Sequence, residues 1–158
     1  MRTMRIRRAG EKDLEGVRSL LAQVLEVHAQ GRPDLFRPGT RKYTDEELLD
    51  DARPVFVAVE DAPGAGCVLG HAFCEVVDMR ESNNMQPIVS LYVDDICVDE
   101  RARGKHVGTE LYDHVLDYAR AHGYHNVTLN AWAANPAAVK FYESLGMSVY
   151  RYGMEQIL

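Results

Sequence analysis

Val98-Asp99-Glu100-Arg101-Ala102-Arg103-Gly104-Lys105-His106-Val107-Gly108 joins the strongest strand signal in the chain to one of its clearest helices. Upstream, residues 88–98 (IVSLYVDDICV) read as a strand rich in β-branched side chains. Downstream, Val107, Leu111, Val115, Tyr118, Ala119 and His122 recur at helical spacing, which predicts a helix over 106–122 with one face against a sheet; Gly123 stops it. Between the two lie Gly104 and a compact basic cluster, Arg101, Arg103 and Lys105, and Gly108 follows in the first helical turn. Backbone N–H groups at a helix N-terminus are unpaired and partly positive, and glycine lets a phosphate approach them, so the junction predicts a diphosphate cradle. The chain has neither G-x-x-x-x-G-K-S/T nor a G-x-G-x-x-G directly after a strand, which sets NTP and dinucleotide binding aside.

Toward the N-terminus, Met4–Arg8 reads as a strand. Leu14, Val17, Leu20, Leu21, Val24 and Leu25 then give a helix with Asp13 as its N-cap, closed by Gly31 and Pro33. Thr44-x-x-Glu47 is a capping box that opens a short second helix before Pro54. Val55–Glu60 and Val68–Val76 read as strands joined through Pro63-Gly64-Ala65-Gly66, a hairpin with a loose turn, and residues 77–87 are polar loop. Toward the C-terminus, Asn126–Trp132 alternates as a strand. Asn135-Pro136 starts a short helix ended by Gly146, and residues 147–158 read as one or two further strands. This order predicts a single α/β domain over 1–158, an α+β mixed sheet of six to seven strands with about four helices on its faces.

The 158 residues are 46% hydrophobic and 27% charged, the balance of a globular protein. The longest apolar runs are strand-sized against the ~20 residues that span a bilayer, so no membrane span is expected. Charged residues follow Arg2 and Arg5 where a signal peptide needs its apolar region, which predicts a cytoplasmic chain. A net charge of −6 disfavours nucleic acid and anionic lipid as partners and favours a cationic one. Three cysteines without C-x-x-C spacing signal neither a disulfide framework nor a zinc cluster, and His122 and His125 lack companions, so no metal is expected. Cys97 reads as core.

Arg103-Gly104-Lys105-His106-Val107-Gly108 resembles the R/Q-x-x-G-x-G/A pyrophosphate signature of GNAT-superfamily N-acetyltransferases, with His106 where the first glycine usually stands. Asn135-Pro136-Ala137-Ala138-Val139-Lys140-Phe141-Tyr142-Glu143-Ser144-Leu145-Gly146-Met147 resembles that superfamily's N-x-x-A-x-x-F-Y-x-x-x-G-F segment. The resemblance implies a GNAT-like fold and acetyl-CoA as cosubstrate. Its pyrophosphate would be held at Arg103, Gly104, Lys105, His106, Val107, Gly108 and Thr109, and its pantetheine arm by the main chain of Ile96, Cys97 and Val98 and the side chain of Asn135. It also implies direct acetyl transfer to a primary amine of a small molecule or protein, and a homodimer through C-terminal strands.

The chemistry sets further demands. A lysine-like amine of pKa ~10.4 is neutral only about one part in 2,500 at pH 7, a cost of ~4.6 kcal/mol, so a base or a water chain is needed. Asp94 and Asp95 point to opposite faces of a regular strand, which leaves one facing the slot. Resemblance to polyamine acetyltransferases assigns that role to Asp94, acting through water, and leaves Asp95 structural. Tyr142 matches the tyrosine that protonates the CoA thiolate in many members, a transfer from pKa ~10 to ~8.5 or somewhat above. Backbone N–H groups of residues 96–98, Val98 above all, are expected to polarise the thioester carbonyl where the strand bulges or splays. His28, Asp34, Phe36 and Tyr43 are candidates for the acceptor pocket. The alternative from another class is a non-catalytic acetyl-CoA sensor or partner-binding module on the same fold; an enzyme using a different acyl-CoA is a third reading.

Overall fold

The computed structural model describes residues 3–61 and 67–158, so the predicted turn at 63–66 lies outside the described residues. Five strands, β1 (Met4–Arg8), β2 (Val55–Glu60), β3 (Cys67–Asp78), β4 (Val89–Val98) and β5 (Asn126–Leu129), form one sheet in sequence order. Neighbours are antiparallel except β4 and β5, which run parallel. A parallel pair needs a long crossover, and α3 (Val107–Ala121) supplies it. Helices α1 (Leu14–Gly31) and α2 (Asp45–Leu49) lie between β1 and β2, and α4 (Pro136–Ser144) follows β5.

The sheet is covered on both faces. On one, Val107, Leu111, Val115 and Ala119 of α3 pack on Phe56, Ala58, Ala72, Leu91 and Val93. On the other, Val17 and Leu20 of α1 and Leu48 of α2 pack on Val55, Val57, Val59 and Phe73. This explains why β2 is apolar without alternation: it sits inside the sheet with side chains buried on both faces. Among the described residues no helix is long and apolar enough to cross a membrane.

The mixed sheet and four helices agree with expectation, but five strands replace the predicted six to seven. Residues 147–158 form no strand: they run exposed apart from half-buried Met147, and without a ladder partner. Their valine and tyrosines favour a pleated, half-buried surface, and that preference acts only where a partner strand is present. For the same reason β5 stops at Leu129 instead of reaching Trp132.

Two irregularities of β4 shape the site. Phe73 of β3 pairs with Asp95 and Cys74 with Val93, so Asp94 is an extra residue, a β-bulge. The bulge inverts the facing of the strand. Leu91 and Val93 point to the α3 side before it, whereas Cys97 points to the α1 side after it and Ile96 and Val98 take over the α3 side. In addition, the β4–β5 ladder ends at Val93 opposite Leu129, although β4 continues to Val98. Beyond that point the backbone of residues 94–98 has a strand partner on the β3 side only.

Candidate active site

The bulge overturns the opposite-face reading of the acidic pair. Both carboxylates meet one ammonium group: Lys42 Nζ lies 3.0 Å from Asp94 Oδ2 and 3.1 Å from Asp95 Oδ2. Asp95 is 7% exposed, and its Oδ2 also accepts a long hydrogen bond of 3.4 Å from the Tyr43 hydroxyl. Burial pushes the Asp95 carboxyl above the usual range, against the opposing pull of the Lys42 charge. Burial likewise acts to lower the Lys42 ammonium, but Asp95 and Asp94 outweigh it and hold the group above its ordinary value. Tyr43 is anchored by stacking on Phe73, with centroids 4.0 Å apart and planes 3° from parallel.

Sequence reading expected the strand to bulge or splay at 96–98; β4 does part from β5 beyond Val93, but the bulge lies earlier, at Asp94, and Lys42 was missed. A signal for the bulge was present: apolar residues recur at Leu91 and Val93, then at Ile96 and Val98, so period two slips by one across Asp94-Asp95. Nothing in the sequence marks Lys42. His71, also missed, is fully buried, and neither ring nitrogen has a hydrogen-bond partner among the described residues. Burial, aided by the Lys42 charge, takes its pKa down to about 4, so the ring is neutral.

Of the acceptor-pocket candidates, His28, Phe36 and Tyr43 are near the pair or beside one another, and Asp34 is not among them. His28 and Phe36 have centroids 5.0 Å apart, and Phe36 meets Trp132 edge-on at 5.2 Å. This wall joins the end of α1 to the loop after β5. His28 is close enough to Asp95 to feel its charge, yet burial keeps its pKa below the ordinary value. Asp34 instead pairs with Arg32 on the surface.

Tyr142, half-buried on α4, lies within electrostatic reach of Asp95 and Cys97; burial, then those two groups, raise its phenol well above the ordinary range. Its proton is therefore held at any neutral pH. Cys97 is buried, its Sγ 3.6 Å from the Leu20 carbonyl, and burial pushes its thiol up to about 12. That side chain is core, which leaves only its main chain for the slot. Asn135 caps α4 by accepting from the Ala138 N–H at 3.3 Å, which leaves its Nδ2 to donate elsewhere.

At the cradle, Arg101 is committed to the turn. It donates twice to Asp99 at 3.0 Å, and these hydrogen bonds, with one from its own backbone N–H, bring Asp99 down to about 2. Arg103 and Lys105 stay exposed. Gly104 has φ +77°, and a Cβ there would meet nothing within 4 Å, so the turn is open on its outer side. His106 adopts φ 63° and gives α3 no side-chain cap, so the donors of the first turn stay available. Gly108 is fixed from within: a Cβ would lie 3.0 Å from Phe141 Cζ and 3.4 Å from Val98 Cγ2. Together the open turn, the uncapped donors and two exposed cations suit a diphosphate.

A model of the Acetyltransferase (GNAT) family matches residues 21–147, most of the chain and all of the site just described. The chain belongs to this family. The glucosamine 6-phosphate N-acetyltransferase of Arabidopsis thaliana is 25% identical over 108 residues, covering 68% of this chain and 67% of that protein. A solved variant of the BH1408 protein from Bacillus halodurans superposes with a TM-score of 0.87 at 27% identity, covering 98% of this chain and 99% of that one. The aminoglycoside N-acetyltransferase AAC(6')-Iy, solved with CoA, shares the fold at a TM-score of 0.70 and 19% identity, over 100% and 96% of the two chains. This GNAT chain thus has acetyltransferases of small-molecule amines among its relatives and structural neighbours.

Proposed function

We propose that this protein, a single domain over residues 1–158, transfers an acetyl group from acetyl-CoA directly to a primary amine of a small molecule or protein, in a ternary complex. The carrying observation is the convergence at one end of β4 of a strand edge released from β5, the Asp94–Asp95 pair and the Tyr142 phenol.

When bound, acetyl-CoA supplies the activated acetyl thioester. Its diphosphate would be held by the N–H groups of the turn and first helical turn at Gly104, Lys105, His106, Val107, Gly108 and Thr109, with Arg103 and Lys105 adding charge. The main chain of Ile96, Cys97 and Val98 would hold the pantetheine arm, helped by Asn135 Nδ2, and the Val98 N–H would polarise the carbonyl. Asp94, the more exposed of the pair, takes the acceptor's proton and passes it to water, while buried Asp95 supplies fixed negative charge that holds the ammonium in place. Tyr142 keeps a proton at its phenol oxygen for the departing thiolate. A small-molecule acceptor is favoured by the functions of the Arabidopsis relative and the aminoglycoside enzyme. We also propose a homodimer formed through residues 147–158.

Thermal unfolding with acetyl-CoA, with NAD and ATP as controls, tests the cofactor. At about 100 times Kd, binding adds ~2.7 kcal/mol, or roughly 5–11 °C in Tm for a chain of this size. A selective rise followed by thiol release on an amine panel supports the enzyme. A selective rise without release on any amine favours the sensor, and no rise removes both.

A further inference from the structure

The acceptor end of the site already holds an ammonium group, and it belongs to the chain. Lys42 Nζ sits between Asp94 and Asp95 at 3.0 and 3.1 Å. Two carboxylates this close repel one another, so the pair is far better satisfied with one monocation than with none. Lys42 is not needed there to hold the core together. Its side chain is 49% exposed, and its chain neighbours are fixed independently, Tyr43 by its stack on Phe73 and Thr44 by its capping box with Glu47. The ammonium can therefore swing into water by rotation of its own side chain, with the backbone unmoved. Near the pair stands the wall of His28, Phe36 and Trp132, and Trp132 is 41% exposed, presenting ring surface to an incoming molecule.

We propose that the Asp94–Asp95 pair is an ammonium seat which Lys42 fills in the resting protein, and that a primary amine carrying a ring or other apolar body enters by exchanging with the Lys42 side chain. The proposal deepens the acetyl-transfer reading and rests on it for the seat's purpose. Exchange of one cation for another leaves the charge of the seat unchanged. A neutral analogue cannot make the exchange, because it would strand two carboxylates without a counter-charge. Lys42 is thus a specificity-determining residue: it rejects uncharged ligands and weakens every cationic one by the cost of its own removal.

Trp132 is the sole tryptophan, so its fluorescence reports occupation of the wall without any cosubstrate. The full chain is titrated with 2-phenylethylamine and with 2-phenylethanol, its uncharged counterpart, exciting where neither absorbs. The amine is expected to bind more tightly than the alcohol. Lys42→Met should tighten the amine about 10-fold or more with no such gain for the alcohol, Lys42→Arg should bind as weakly as the parent, and Asp95→Asn should remove the gain. Lys42→Ala serves if the methionine variant does not fold. Amine binding that is unchanged or weaker in the variant lacking the lysine charge overturns the proposal, as does equal binding of amine and alcohol. Thiol release from acetyl-CoA is measured separately. Tightening without release keeps the seat and removes acetyl transfer, whereas release without tightening keeps acetyl transfer and removes the seat.

Discussion

His106 occupies the left-handed region at φ 63°, the one non-glycine among the described residues to do so, which explains physically why the superfamily's signature has glycine there. A side chain in that region costs ~1–2 kcal/mol, and glycine returns part of this as unfolded-state entropy, roughly 0.5–1 kcal/mol. His106→Gly should therefore stabilise the fold by about 0.5–1 kcal/mol, read as a higher urea midpoint at unchanged slope; a lower midpoint would mean the ring makes a contact that outweighs the strain. In catalysis, Asp94→Asn and Tyr142→Phe should each lower kcat by about 10²-fold or more, and near-parental kcat in either removes its assigned proton transfer. Asp95 must be ionised to hold an ammonium, and burial raises its pKa. Activity should accordingly fall on acidification through that raised value, placing the acid limb of kcat/KM above the ~3.9 of an ordinary aspartate. Asp95→Asn should weaken acceptor binding and remove that limb. At this scale the open glycine turn before α3 and the place of Tyr142 on a short helix were legible because short motifs carry them. The pairing of Asp94 with Asp95 on one cation was not, because the cation comes from Lys42, some fifty residues away, and nothing in the sequence marks it.

Helix α1 is tied to β1 by one buried carboxylate. Sequence spacing assigned Asp13 as a helix cap, but its side chain caps nothing in α1. Instead Arg7 donates to both its oxygens, at 2.7 and 3.0 Å, and the Gly10 N–H donates at 2.8 Å. Burial alone would raise the Asp13 carboxyl, yet these donors outweigh it and the pKa lies below the ordinary value. A lowered folded pKa contributes stability that is present above the unfolded value, ~3.9, and is lost as pH falls through the folded one. Asp13→Ala would leave the Gly10 N–H without its acceptor and Arg7 with only the Arg8 carbonyl, and should destabilise by about 2–3 kcal/mol at pH 7. The deficit should shrink below pH 4, and urea unfolding at both pH values checks it; an equal deficit at both would assign the role of Asp13 to packing. Element types were largely readable because β2, α1 and α3 each satisfy a period or a buried run locally, and the Thr44–Glu47 capping box forms as read. Asp13 stands at the N-cap position as read, but where its carboxylate bonds was not legible, because a cap and an ion pair draw on the same residue type and only the β1–α1 packing decides between them.

For the whole molecule, the two ends of the candidate site differ in charge: a chain of net charge −6 concentrates two buried or half-buried carboxylates at one end and exposed Arg103 and Lys105 at the other. In the proposed reaction such a field would draw a cationic amine and an anionic cosubstrate to different ends of the site. The last segment is where local reading failed, and the failure is informative. Val149, Tyr150, Tyr152, Met154, Ile157 and Leu158 are all more than half exposed, and among the described residues β5 ends the sheet with its outer edge unpaired. Exposed apolar side chains and an open sheet edge are each unfavourable in water and are commonly covered by pairing. The proposed homodimer meets both needs, since the tail of one copy can pair with the edge of the other. Light scattering on gel filtration should give a mass near twice 17.8 kDa at micromolar concentration, and truncation after Gly146 should give a monomer. A monomeric full chain removes the dimer outright, and a dimer that survives truncation moves its interface away from the tail.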